Sequence, residues 1–300
     1  MTNNRKLNSF TSFYGTIALS GRLRARSIFV TLQLAAVSLL FFGLDTPASA
    51  KEETRPNIIV LLVDDAALMD LQPYGGEART PNIKALANRG TKFTRFRASP
   101  LCSTTRAMLL TGLDNHQAGV GTIREVIPPE LKGKKGYTLA LEPGVQTIAS
   151  RLNDARYRTY MTGKWHLGKG EKDLPADHGF DRSFVLAASG ADNWEDKTFM
   201  PPYEQAEWYE GRKEASLPDD YYSSEFLIDQ MIEYLEADKD KPGPFFAYVG
   251  FLAIHIPIQA PQEYSDNYVE TYQSGWEDIR QSRWQRAQQL GLIEKGTPLA

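Results

Sequence analysis

Residues 57–63 read Asn-Ile-Ile-Val-Leu-Leu-Val, six apolar positions in a row after the asparagine. A run of this length without alternation predicts a strand buried on both faces, as at the centre of a parallel sheet. Asp64 and Asp65 follow at its carboxyl end. In open α/β sheets ligands bind just beyond that end of the strands, so the acidic pair is a candidate site. Thr80 and Pro81 then open a helix with Ile83, Leu86 and Ala87 on one face, and Gly90 closes it. Residues 91–96 read as a strand. Residues 103–110 begin another helix, with Cys102 at its N-terminus. Residues 113–142 are loop-rich. Val145, Ile148, Ala149 and Leu152 mark an amphipathic helix over 145–158, and a short strand over 159–161 leads into Gly163-Lys164-Trp165-His166-Leu167-Gly168.

Residues 169–220 hold many Pro, Gly, Asp and Glu and read as long surface connections. The spacing of Phe226, Leu227, Met231, Ile232 and Leu235 predicts a helix over 223–238. A second buried strand over 245–252 precedes His255 and Pro257, and residues 276–290 predict a last helix. Strands alternating with helices point to an α/β fold with a central, largely parallel sheet flanked by helices. Nothing between 51 and 300 reads as a linker between independent domains.

The first fifty residues follow a different pattern. Arg22, Arg24 and Arg26 precede an apolar stretch over 28–44, which ends in Thr46-Pro47-Ala48-Ser49-Ala50. A basic region, an apolar region and an Ala-x-Ala site predict a secretory signal peptide over 1–50. The alternative is an uncleaved membrane anchor, because the stretch approaches the length that spans a bilayer. Either reading places the working protein in the periplasm or outside the cell.

Composition changes this picture little: 42% of positions are apolar and 24% charged, so residues 51–300 can fill one globular domain. Residues 1–50 carry five of the 34 basic residues and one of the 37 acidic ones, which leaves residues 51–300 at a net charge of −7. An acidic chain gives no reason to expect nucleic acid as a partner. Cys102 is the only cysteine. Export usually brings disulfides, and a lone thiol is left for another use.

Cys102 and Arg106 stand one helical turn apart on one face. A helix N-terminus and a planar guanidinium both suit a sulfate or phosphate oxygen. The competing reading is a buried structural cysteine, the commonest fate of a free thiol.

The neighbours weigh on that choice. The run Cys102-Ser103-Thr104-Thr105-Arg106, followed by Leu110-Thr111-Gly112, resembles the signature of the type I sulfatases of the alkaline-phosphatase-like superfamily. Asp64-Asp65 resembles the family's first metal-binding pair, and residues 163–168 its second signature. Ile254-His255-Ile256-Pro257 with Ala260-Pro261 resembles its histidine loop. The four motifs come in the family's order over roughly residues 55–295. The run over 111–122 looks most like bacterial arylsulfatases.

The resemblance implies that Cys102 is oxidised to formylglycine by a formylglycine-generating enzyme during maturation. The hydrated aldehyde would attack the sulfur of an aryl or alkyl sulfate ester. It further implies that Asp64, Asp65 and position 102 hold Ca²⁺ or Mg²⁺. Arg106 would stabilise the nucleophile, Lys164 would bind a sulfate oxygen, His166 would act as base, and His255 would protonate the leaving oxygen. His116 reads as structural and His178 as a surface residue. A phosphonate monoester or phosphodiester is the alternative substrate.

Two departures accompany the resemblance. Thr104 stands where the family usually has Pro or Ala, which bears on conversion of Cys102. The family's Asp-Asn-Gly metal segment and a further lysine have no counterpart here, since Asp192-Asn193 and Asp266-Asn267 follow no apolar strand. The expectation is therefore an N-terminal portion of a sulfatase domain over 51–300, truncated at its C-terminus, with an inactive fragment as the alternative.

Overall fold

The computed structural model describes residues 55–299 apart from 171 and 202. The expected signal peptide lies outside the described residues.

Six strands form one sheet: β1 (Ile58–Leu62), β2 (Arg158–Lys164), β3 (Arg182–Leu186), β4 (Trp208–Glu210), β5 (Lys213–Glu214) and β6 (Phe245–Gly250). Their order is β1-β6-β2-β3-β4-β5. The first four in that order run parallel, and β4 and β5 close one edge antiparallel. The expected α/β architecture with a largely parallel sheet is what the chain forms.

Side chains alternate across the central strands, and each set feeds one core. Met161, Val185, Phe246 and Tyr248 face a cluster with Ala107 and Leu110 of helix α2 (Cys102–Thr111) and Ala149 of helix α3 (Ile148–Asp154). Tyr160, Leu186, Ala247 and Val249 face Leu227, Met231 and Tyr234 of helix α4 (Ser223–Ala237).

That layering corrects the reading of the first strand. Among the described residues β1 pairs with β6 alone and lies at the sheet edge. Ile58, Val60 and Leu62 pack on the α2 side, whereas Ile59 and Leu61 are 59% and 55% exposed. The physical reason is reach: α4 packs on β2, β6 and β3, one strand short of β1. An apolar run shows that both faces are suited to burial, not that both are covered.

Other boundaries also move. Residues 91–96 are irregular, with Phe93 and Phe96 exposed and no strand beside them among the described residues. α3 is shorter than expected, because the Thr147–Ser150 capping box starts it at Ile148 and Arg158 already pairs with Phe245 in the sheet. β2 correspondingly extends to Lys164. Residues 169–220 are not mainly surface: β3 is buried from Ser183 to Leu186, and Trp208 lies in the second core. The Pro and Gly there punctuate short strands. Helices α1 (Pro81–Arg89), α5 (Gln262–Asp266), α6 (Val269–Tyr272) and α7 (Trp276–Gln289) are the remaining α-helices among the described residues, alongside four short 3-10 turns.

Candidate active site

Three parallel strands bring their carboxyl ends together, with Leu62 and Gly163 both in register with Gly250. The β1–β6 ladder then continues past the strands. Phe251 N–H donates to Leu62 O at 2.9 Å, Asp64 N–H to Ala253 O at 2.9 Å, and Ile254 N–H to Asp64 O at 2.8 Å. The chain after β1 and the histidine loop after β6 are thereby tied side by side, with Lys164 next to them. α2 points its N-terminus at the same place.

Asp64 is the hub. Its side chain is 5% exposed, with Lys164 Nζ at 2.5 Å from Oδ2 and Arg106 Nη2 at 3.3 Å from Oδ1. Burial opposes its ionisation, but the Arg106 and Lys164 cations outweigh that and hold the carboxyl below its ordinary range. Arg106 Nη1 donates to Lys164 O at 2.7 Å. Its Nε and Nη2 are sealed from solvent without a hydrogen-bond acceptor. Nη2 already faces the Asp64 carboxylate, so Nε–H is the one donor of the fork left without an acceptor.

Gly250 makes room for that guanidinium, and Gly163 lets β2 approach β6 beside it. A Cβ on Gly250 would lie 2.8 Å from Arg106 Nη1 and 2.7 Å from Lys164 O. Gly163, at φ +92°, would drive a Cβ to 2.0 Å from Gly250 O. Together they form a notch across β2 and β6.

Cys102 Sγ lies 3.3 Å from His166 Nδ1. His166 itself sits at φ +56°, an uncommon backbone state for a non-glycine. Its carbonyl accepts a 2.7 Å hydrogen bond from Ser103 Oγ, and its Nε2 is 3.3 Å from the Tyr203 hydroxyl. Burial first, then the Lys164 and Arg106 cations, push its pKa well below the usual histidine value, so the imidazole is neutral. Thr104 is buried, and its hydroxyl donates within the turn that starts α2, with Ser99 Oγ at 2.6 Å and Leu101 O at 2.8 Å.

Asp65 and His255 form an outer rim. Asp65 is at φ +62°, its side chain 60% exposed, with His255 Nε2 at 3.9 Å. His255 Nδ1–H donates to Ile256 O at 2.7 Å, which leaves Nε2 to exchange protons. Asp64, Asp65, Cys102 and Arg106 all line a cleft of about 670 Å³ walled by Leu68, Phe93 and Phe96. Lys164 joins them through Asp64, His166 through Cys102 and His255 through Asp65, so the seven candidates form one run of contacts, although His166 and His255 line separate pockets.

The remaining candidates separate from them. His116 is exposed and bonds to Asp114 and Tyr137, in line with a structural role. His178 corrects the surface reading: it packs on Trp165 at 5.6 Å, and burial lowers its pKa. Asp192 and Asn193 are buried and bound to Gln259, where they tie two loops together. Tyr203 and Gly250 carried no motif signal, although a glycine ending an apolar strand is a cue for close backbone approach, and Ser103 stood within the Cys102–Arg106 motif without an assigned role.

A metal would find two hard carboxylate donors here, which suit Ca²⁺ or Mg²⁺. Both oxygens of Asp64 already face cations, and the Cys102 thiol is a soft donor. Among the described residues no group of three or more His, Cys, Asp or Glu is placed to hold a metal. The described donor set is therefore not a complete site.

A family model described as Sulfatase matches residues 56–293. An arylsulfatase of Klebsiella aerogenes is 39% identical over 88% of this chain and 56% of its own length. Human N-acetylgalactosamine-6-sulfatase is 32% identical over 70% of this chain and 41% of its own. The crystal structure of the PsFucS1 sulfatase from Pseudoalteromonas superposes with a TM-score of 0.56 at 22% identity, over 88% of this chain and 56% of that one. The chain spans about half the length of the relatives it matches.

Proposed function

The chain belongs to the sulfatase family, and from that premise we propose that it serves hydrolysis of aryl or alkyl sulfate esters with a nucleophile derived from Cys102. The observation that carries this reading is the convergence of Cys102 and His166 Nδ1, 3.3 Å apart, with the buried Arg106–Asp64–Lys164 cluster at one end of the parallel sheet.

Each side chain has a task its geometry supports. Formylglycine at position 102, once formed, supplies a hydrated aldehyde oxygen as nucleophile. The Arg106 guanidinium, held by Asp64 and the Lys164 carbonyl, sets a fixed positive charge beside the anionic oxygens. Lys164 adds fixed positive charge to the same wall, in a setting that excludes water and so strengthens it. His166, neutral and facing position 102, takes up a proton there. His255 Nε2 delivers a proton to the departing alkoxide from the rim. Asp65 and Asp64 are the carboxylates this chain would offer to a Ca²⁺ or Mg²⁺ site, Asp64 only by giving up one of its cation contacts. The net reaction consumes one water and releases an alcohol and sulfate.

We assign the working compartment as the periplasm or the cell exterior, on the basic–apolar–Ala-Ser-Ala pattern of residues 1–50. The formylglycine-generating enzyme is the maturation partner in this scheme, acting on the extended segment before α2 forms.

The test is the mass of the tryptic peptide 98–106 from the native host, with 4-nitrophenyl sulfate hydrolysis measured on the same sample. An aldehyde at position 102, trapped as a hydrazone, with turnover supports the proposal. An unmodified thiol in every molecule sinks it.

A further inference from the structure

His166 stands between Cys102 and a residue outside every family motif. Its Nδ1 is 3.3 Å from Cys102 Sγ, and its Nε2 is 3.3 Å from the hydroxyl of Tyr203. A neutral imidazole has one N–H, so the nitrogen that keeps it decides whether Nδ1 can accept a proton from position 102. We infer that Tyr203 is a positioning residue whose hydroxyl oxygen accepts the Nε2–H of His166 and so leaves the Nδ1 lone pair facing position 102. The catalytic consequence rests on the sulfate-ester reading, while the tautomer itself does not.

The surroundings of Tyr203 favour that direction of the hydrogen bond. Both carboxylate oxygens of Glu125 are sealed from solvent with no hydrogen-bond partner. Burial, and after it the Glu125 charge, keep the Tyr203 hydroxyl protonated. A buried carboxylate without a donor is costly, and an O–H dipole turned toward it lowers that cost. The Glu125 charge attracts the Tyr203 O–H proton without a hydrogen bond between them, and a hydroxyl whose proton turns that way presents a lone pair to Nε2. The ring is also held from the side, since the Arg124 guanidinium lies 5.7 Å from its centroid.

His166 has little freedom to choose otherwise. Its left-handed backbone is clamped by the Ser103 Oγ bond to its carbonyl and by the bond from Trp165 N–H to Leu186 O at 2.9 Å. A non-glycine in that state is strained and persists only where the surroundings over-determine it. Here the clamp aims one nitrogen at position 102 and the other at Tyr203.

The experiment is a long-range ¹H–¹⁵N spectrum of the full chain with ¹⁵N-labelled histidine, each ring assigned through its own backbone amide. Bare and protonated ring nitrogens separate widely in such a spectrum. The parent protein is expected to show His166 protonated at Nε2 and bare at Nδ1. Tyr203→Phe, which removes only the hydroxyl, is expected to shift His166 toward the Nδ1–H form. It should also lower kcat on an aryl sulfate roughly 10- to 100-fold, with KM held within about twofold. An Nδ1–H form in the parent, or no tautomer change in Tyr203→Phe, overturns the inference. A tautomer shift in a chain that hydrolyses no sulfate ester upholds the positioning role and fails the sulfate-ester reading instead.

Discussion

Asp64 and Asp65 carry the same side chain one peptide apart, yet they belong to two different regions of the molecule. Asp64 is part of an inner wall in which every charge has a buried partner: Lys164 and Arg106 face it, and Arg106 in turn holds the Lys164 carbonyl. Asp65 belongs to an outer rim, 60% exposed, with one contact to His255 at 3.9 Å. The difference is that the inner wall is part of what holds the domain together, whereas the rim is free of that duty. A residue in the wall cannot be changed without a folding cost. A residue on the rim can be changed for function alone.

The largest test of that contrast is Asp64→Ala. It strands two buried cations, and breaking a buried pair by removing one partner costs about 3–5 kcal/mol. The urea midpoint should fall accordingly. An unchanged midpoint would show that the wall is no more committed to folding than the rim.

Next in size is Gly250→Ala, which removes no charge. Its Cβ would meet Arg106 Nη1 at 2.8 Å and Lys164 O at 2.7 Å, both of them fixed by the 2.7 Å bond between them. Overpacking of this kind costs about 1–3 kcal/mol. Sulfate-ester turnover should drop with it, because the guanidinium must move. A variant as stable and as active as the parent would mean the notch is incidental.

A smaller effect comes from beneath the wall. Trp165 lies between Lys164 and His166 in sequence and rests on His178. Burial lowers the pKa of His178, with the Asp177 and Asp173 charges opposing in part. The unfolded chain then binds a proton below about pH 6.5 that the folded chain does not. Stability from this group is present above that pH and falls as pH drops toward the folded pKa, by at most ~1.4 kcal/mol per pH unit. Denaturation curves of the parent and of His178→Gln, compared from pH 7 downward, should differ in slope with that sign. Equal slopes would detach His178 from the support of the wall.

The same contrast explains what could be read from the sequence. Rim and wall residues alike sit in short motifs after apolar runs, so Asp64, Asp65, Cys102, Arg106, Lys164, His166 and His255 were all legible as candidates. Their division into wall and rim was not, because it depends on which strand ends share a register. Tyr203 was invisible for a related reason. It reaches His166 from an irregular loop 37 residues downstream, with no periodicity to mark it. The exposure of Ile59 and Leu61 was hidden as well, since hydropathy reports what a face can bury and not whether a helix reaches it.

The smallest expected effect on stability is the sharpest test of the contrast. Asp65→Asn keeps the shape of the side chain and removes its charge. Asn tolerates the left-handed backbone at φ +62° as well as Asp does, so no strain is added. The side chain is mostly in water and makes no buried pair, so the change in folding free energy should stay within about 0.5 kcal/mol. Hydrolysis of an aryl sulfate should nevertheless be lost if, as proposed, the rim carboxylate serves the reaction. Loss of turnover at an unchanged urea midpoint is the outcome that separates Asp65 from Asp64. A midpoint that falls as far as that of Asp64→Ala would merge the two regions, and full turnover would remove Asp65 from the site.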